Sequence, residues 1–193
     1  MKSITTIGIL IFALIASTSV FAQKKSQSFT VSRVIKASAD KVWAVVGEDY
    51  GAIANSHPLI ISSEYLDGSL EGGEGVERVC NMNESGTKYT HEKQVNFDPD
   101  NYTFRAQIFH AEGIPMVPEA SFMDYKVVSI DANTSKLVMT MNFRTKPAFM
   151  GAMAKGRMQK TIEGYALAVE HHILTGETVN KDNFKGISKQ YKS

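Results

Sequence analysis

The sequence predicts an α+β fold in which one long C-terminal helix lies on a curved antiparallel sheet. Three observations carry that expectation. Apolar residues recur at helical spacing from 148 to about 175, with methionine frequent among them. Apart from two short segments, everything ahead of that stretch reads as strands separated by turn chemistry. An apolar helix face of that length needs a bed, and a bent sheet is the partner the rest of the chain offers. Sheet and helix would then enclose a pocket.

The first 22 residues stand apart. Lys2, an apolar run from Ile4 to Ala16 and the ending Val20-Phe21-Ala22 have the pattern of a secretory signal peptide, cleaved before Gln23. An uncleaved membrane anchor is the competing reading, and Ser17, Thr18 and Ser19 weigh against it. The expected organisation is a signal at 1–22, one domain at 23–176 and a polar tail at 177–193. It implies a periplasmic or secreted protein with no membrane span after cleavage.

The whole chain carries 21 basic and 20 acidic residues, and loss of Lys2 with the leader leaves the two balanced. No long basic run remains, which argues against nucleic acid or an anionic membrane surface as partner. The single cysteine, Cys80, has no internal disulfide partner; its strand setting predicts a half-buried thiol.

Taken in order, Phe29, Val31, Arg33 and Ile35 alternate with Thr30, Ser32, Val34 and Lys36, which predicts a first strand. Ser38 caps a short helix over 39–46 with Val42, Trp43 and Val46 on one face, ended by Gly47. A weaker helical turn over 49–56 stops at His57-Pro58, because proline disfavours helix in the residue before it. Strands follow at about 59–66, 75–82, 88–96, 102–111, 120–130 and 136–144. Asp67-Gly68, Glu84-Ser85-Gly86, Asp98-Pro99-Asp100-Asn101 and Asp131-Ala132-Asn133 supply the turns between them. The apolar connection Gly113-Ile114-Pro115-Met116-Val117-Pro118 reads either as a lid over a pocket or as a loop packed on the body. In the last helix Met150, Ala154, Met158, Ile162, Tyr165, Val169 and Ile173 form one buried face. Past Gly176 the chain is polar and without period, which predicts a mobile tail.

Several local motifs fit one family. Lys41-Val42-Trp43-Ala44-Val45-Val46-Gly47, His57-Pro58, Ser62-Ser63-Glu64, Gly75-Val76-Glu77-Arg78 and Asp98-Pro99-Asp100-Asn101-Tyr102 stand in the order of one strand, two short helices, six strands and a long helix. In this the chain resembles the polyketide cyclase/dehydratase-like branch of the START-like (SRPBCC) superfamily, whose Bet v 1-like fold is the helix grip. The resemblance covers about 29–175. It implies a seven-stranded curved antiparallel sheet around the C-terminal helix and a deep, mostly apolar cavity between them. It does not imply one activity, because fold alone does not fix function.

Motifs and strand parity limit the chemistry the chain can carry. No nucleophile elbow, phosphate loop or dinucleotide fingerprint occurs, so no cofactor is expected. Adjacent His171 and His172 point about 100° apart on a helix, which suits capping of the helix end better than a shared metal ion. Parity puts Leu137, Met139, Met141 and Phe143 on one face of the last strand, Phe104, Ala106, Ile108 and His110 together, and Met123 with Tyr125 and Val127. Met123, Met139, Met141, Met150, Met153 and Met158 supply either an adaptable pocket wall or ordinary core filling. The apolar ligand contacts expected are Phe104, Ile108, Met123, Met139, Met141, Phe143, Met150, Met158 and Ile162. Arg78, Tyr89, His91, His110, Tyr125 and Tyr165 are the polar contacts expected, with Glu92 and Arg105 as further candidates. Arg78 and Glu92 also suit a cross-strand pair that needs no ligand. His110 and Tyr125 are the candidate acid–base groups, His110 because its strand-mates are apolar.

The expected function is an exported carrier or sensor, monomer or weak dimer, that encloses a small hydrophobic ligand. Alternatives are a cyclase/dehydratase-type enzyme using His110 or Tyr125, and an envelope protein docking a partner through 113–118. Asn83, Asn101 and Asn133 begin glycosylation sequons, each at an expected turn.

Overall fold

The computed structural model describes residues 26–66 and 68–191, so the expected leader at 1–22 lies outside the described residues. Seven strands, β1 (Gln27–Ile35), β2 (Ser62–Tyr65), β3 (Glu77–Asn81), β4 (Tyr89–Asp98), β5 (Thr103–Glu112), β6 (Phe122–Asp131) and β7 (Thr134–Phe143), form one antiparallel sheet. Their order is β1-β7-β6-β5-β4-β3-β2, a meander with the first strand added beside the last. The inward rows are those that alternation assigns: Phe29 and Val31 on β1, Tyr125 and Val127 on β6, and Leu137, Met139, Met141 and Phe143 on β7 are all buried.

The connection from β1 to β2 crosses one end of the sheet. Helix α1 (Ala39–Trp43) starts at Ser38, whose hydroxyl accepts from the Lys41 amide at 3.4 Å. The chain then widens into a π-turn at Ala44–Glu48 and tightens into a 3-10 turn at Tyr50–Asn55. Gly47 therefore does not end the helix. Its role is clearance, because a Cβ there would lie 2.8 Å from the Trp43 indole. The indole sits among Phe97, Tyr102 and Phe104 at centroid distances of 5.3, 5.7 and 5.8 Å. This aromatic group plugs one end of the sheet's concave face.

Two bulges interrupt the β4–β5 pairing. At one, Phe109 is the extra residue between the pairs His91–His110 and Glu92–Ile108. At the other, Asn96 takes a positive φ of 54°, a conformation asparagine tolerates, between Val95 and Asp98. Extra residues on alternate strands bend the pair.

Helix α2 (Met150–Thr175) lies in the concavity and ends at Gly176, whose φ of 74° supplies the left-handed C-terminal turn. It packs Ile162, Tyr165, Ala166 and Val169 inward. The remainder of the chain is no loose tail. Val179 pairs with Ser56 in a parallel bridge, and helix α3 (Phe184–Gln190) returns along α2. Val179, Ile187 and Ala168 form a second small core. Tyr191 closes the strap by meeting the His171 imidazole at 3.1 Å. Among the described residues no helix is long and apolar enough to cross a membrane.

Candidate ligand cavity

A cavity of about 270 Å³ opens between α2 and the half of the sheet that α1 does not plug. Met123 and Tyr125 of β6, Met141 of β7, Ala106 and Ile108 of β5, and Ala154, Met158, Thr161, Ile162 and Tyr165 of α2 line it. The apolar loop expected as lid or packed segment is both. Backbone bonds from Val117 to Arg144 (2.8 Å) and from Lys146 to Pro115 (3.1 Å) tie it down, while Ile114 and Met116 face the cavity. Leu59 and Ile60 complete the opposite rim.

The inner end is polar and fully engaged. Arg78, 2% exposed, donates from Nε and Nη2 to Oε2 of Glu92 at 3.0 and 2.6 Å, and from Nη1 to the Tyr50 carbonyl at 2.6 Å. Its guanidinium also covers the Tyr50 ring at 3.8 Å. The Thr90 hydroxyl donates to the other Glu92 oxygen at 3.0 Å. A buried ion pair survives only when its remaining donors and acceptors are met in this way.

Beside it stands His57. The amides of Leu59 and Ile60 donate to its Nδ1 at 3.1 and 3.2 Å, so the ring proton belongs on Nε2. Burial first, and then the positive charge of Arg78, lower its pKa to about 3. It is therefore a neutral imidazole, tilted 36° against the Tyr165 ring at a centroid distance of 4.7 Å. Tyr165 meets Tyr125 edge-on at a ring-centroid distance of 6.5 Å. Burial pushes the Tyr165 phenol up to about 12 and Tyr125 well above its ordinary value, with the neighbouring tyrosine adding to the latter. At the inner end one cation, one anion and the uncharged donors of His57, Tyr125 and Tyr165 thus face the cavity, while Arg157 stands where the cavity adjoins a groove beside it. Such a floor suits an uncharged polar group, because an added buried charge would have no counter-ion left to meet it.

The site residues expected from the sequence divide sharply. Arg78, Ile108, Met123, Tyr125, Met141, Met158, Ile162 and Tyr165 line the cavity together. Phe104, Met139 and Phe143 face the same side but lie in the packed region. There Phe104 stacks on Tyr125 at 4.4 Å and meets Trp43, and Phe143 meets Phe29 edge-on at 6.3 Å. Met150 is half-buried at the start of α2, outside the cavity, and Met153 is 79% exposed.

Tyr89, His91 and His110 sit on the opposite, convex face. His110 is the principal correction, and the Phe109 bulge is its cause: one extra residue reverses the parity of every side chain after it. Ala111 takes the inward place, packed against the core, and His110 stacks on Tyr89 at 5.5 Å in solvent. Tyr89 and His91 alternate with inward Thr90 and Glu92, which excludes them from the floor. Arg105 pairs with Asp124 on the outer face at 2.6 Å. Cys80 is fully buried rather than half-buried, and burial pushes its thiol up to about 12, far from a nucleophile.

Sequence reasoning missed His57 as a cavity residue, having used it only as a helix stop. Its signal is a histidine two and three residues ahead of free amides after a proline-broken helix, an arrangement that fixes the ring by local bonds. Met82 and Met116 were also missed, and with Met123, Met141 and Met158 they make the adaptable wall. Among the described residues no group of three or more histidine, cysteine or carboxylate side chains is placed to hold a metal ion.

Comparison with known proteins agrees with this geometry. The family model described as polyketide cyclase/dehydrase and lipid transport matches residues 26–170. No curated protein matches the chain by sequence. Among solved structures, a START superfamily protein from Mycobacterium smegmatis is similar at TM-score 0.63 and 16% identity, covering 76% of this chain and 97% of its own. The protein Ara h 8.0201 is similar at TM-score 0.61 and 22% identity, over 78% of this chain and 99% of its own. Norcoclaurine synthase from Thalictrum flavum, solved with dopamine and hydroxybenzaldehyde, is similar at TM-score 0.60 and 14% identity, over 90% and 97%. Sheet order, gripped helix and family match together place the chain: it belongs to the polyketide cyclase/dehydrase and lipid transport family of the START-like (SRPBCC) superfamily, with the helix-grip fold.

Proposed function

We propose that the chain is an exported binding protein, monomeric or weakly dimeric, whose cavity holds one small hydrophobic or amphipathic molecule. The cavity itself carries this reading. At about 270 Å³ it lies near the low end of ligand pockets, roughly 300 to 1,000 Å³, so it admits a small molecule and not a two-chain lipid. Apolar walls would desolvate the body of the ligand, and His57 Nε2–H, the tyrosine pair and Arg78 would orient its polar end. Protein recovered from its own cells, studied by native mass spectrometry and then solvent-extracted, is expected to release one apolar small molecule per chain. Recovery of empty protein that also fails to take up Nile red would refute the reading. Export is checked on the same material, whose first residue is expected to be Gln23.

A cyclase/dehydratase-type activity is the second reading, and a specific observation favours it. A neutral imidazole and two protonated phenols face one desolvated space, a set able to pass a proton to and from a carbonyl or hydroxyl. Norcoclaurine synthase, of similar fold, is an enzyme by its name and was solved with dopamine and hydroxybenzaldehyde. His110 has no part in it, being on the outer face. Turnover of a poly-β-ketone thioester mimic that persists in a His57→Gln, Tyr125→Phe, Tyr165→Phe variant would remove these groups from the chemistry.

A further inference from the structure

Beside the cavity lies a groove of about 290 Å³ that shares Leu59, Arg157 and Thr161 with it. Arg157 and Lys160 of α2 stand on one side of this groove and Lys181 on the other, with Phe184 and Gly164 between. Among the described residues no acidic side chain lines it. Among the described residues none of the three cations is in an ion pair. Glu163, the nearest acid on α2, is held by Gln159 at 3.0 Å.

Lys181 is not on a wandering segment. Its turn is fixed by Asn180, whose side chain accepts from the Asp182 and Asn183 amides at 2.9 and 3.2 Å, and by Asn183, whose side chain accepts from the Asn180 amide at 2.8 Å. The C-terminal strap therefore delivers a third positive charge to the groove beside the cavity. A balanced floor in the cavity and an unbalanced cationic groove next to it define a polarity between the two. Three like charges held around one concave space raise the local potential and attract a counter-charge.

We infer that this groove is an anion-binding vestibule, and that the ligand carries a carboxylate, sulfate or phosphate at its outer end and an uncharged hydrogen-bonding group at its inner end. The inference rests on the proposed ligand-holding function and narrows its class of ligand. An anion entering tail-first keeps its charge in the wet groove beside Arg157, Lys160 and Lys181, and only its uncharged end reaches the floor. Desolvation of the charge is avoided, and each exposed cation contributes only modestly.

The test compares ω-hydroxydecanoic acid with its methyl ester by calorimetry, on the wild type and on an Arg157→Gln, Lys160→Gln, Lys181→Gln variant. All three positions are solvent-exposed, so the variant is expected to keep the wild-type circular dichroism. In low salt the wild type is expected to bind the acid about tenfold tighter than the ester, as three weak surface ion pairs would give. That preference is expected to disappear in the variant and to shrink in high salt, with ester affinity changing far less than acid affinity. Equal binding of acid and ester by the wild type would overturn the vestibule and leave the cavity reading standing. Binding of neither would overturn both. Co-sedimentation with phosphatidylglycerol vesicles that the variant loses, without any change in acid binding, would reassign the cations to a membrane surface and also overturn the vestibule.

Discussion

At the scale of single residues, the cavity floor depends on two groups that are expensive to bury and are kept by their neighbours. Arg78 faces Glu92 with 3% and 14% of their side chains exposed. Removal of one partner leaves the other's charge without compensation. Arg78→Met is therefore expected to cost about 3 kcal/mol in urea unfolding, and Arg78→Met with Glu92→Met distinctly less than that. A double-variant loss equal to the sum of the Arg78→Met and Glu92→Met losses would show that the pair is not coupled. His57 sets a pH dependence of opposite origin. In the folded chain it stays neutral down to about pH 3, whereas the unfolded imidazole protonates near 6.5. Between those values the unfolded state takes up a proton that the folded state does not. His57's contribution is thus complete above pH 6.5 and is lost progressively as pH falls toward 3, by an amount of order 5 kcal/mol at the extreme. Unfolding free energies measured across that interval are expected to fall less steeply for His57→Gln than for the wild type. A parallel pair of slopes would contradict the buried neutral assignment.

At the scale of elements, alternation along β6 and β7 and the three-to-four spacing along α2 were enough to find Met123, Tyr125, Met141, Met158, Ile162 and Tyr165. Alternation tells which face a residue takes, but not how far along the concavity it lies. Phe104, Met139 and Phe143 share the inward face and are buried in packing instead, Phe104 against Trp43 of α1 and Phe143 against Phe29, which no local pattern on their own strands announces. The Phe109 bulge was illegible for a different reason: inserting one residue into a strand needs no turn residue, and Phe109 itself is an ordinary strand former. The strap after Gly176 was hidden by its polarity, because Val179, Phe184 and Ile187 are too few to give a period and gain their burial only from α2. One position measures that docking. A side chain at Gly164 would begin 3.0 Å from the Phe184 ring, so Gly164→Val is expected to lift α3 from α2. Faster tryptic cleavage at Lys181 and Lys185, with the β-sheet signal retained, is the expected result. Unchanged cleavage would mean that α3 repacks without leaving.

At the scale of the whole molecule, the sheet closes around α2 at one end and leaves about 270 Å³ unfilled at the other. A void lined by methionine and aliphatic side chains forfeits packing that a solid core would have, so the fold gives up stability to keep the space. Ala154→Trp is expected to fill it, raising stability by about 1 kcal/mol and abolishing Nile red uptake together. A gain in stability with uptake intact would place the dye elsewhere. The sheet's strand order has a further effect, felt before any ligand arrives. β1 leaves the ribosome first, yet its Phe29 pairs with Met141 on β7, the last strand made. Through most of its synthesis the nascent chain has no completed edge for that first strand, and its greasy face must wait for a partner more than a hundred residues behind it.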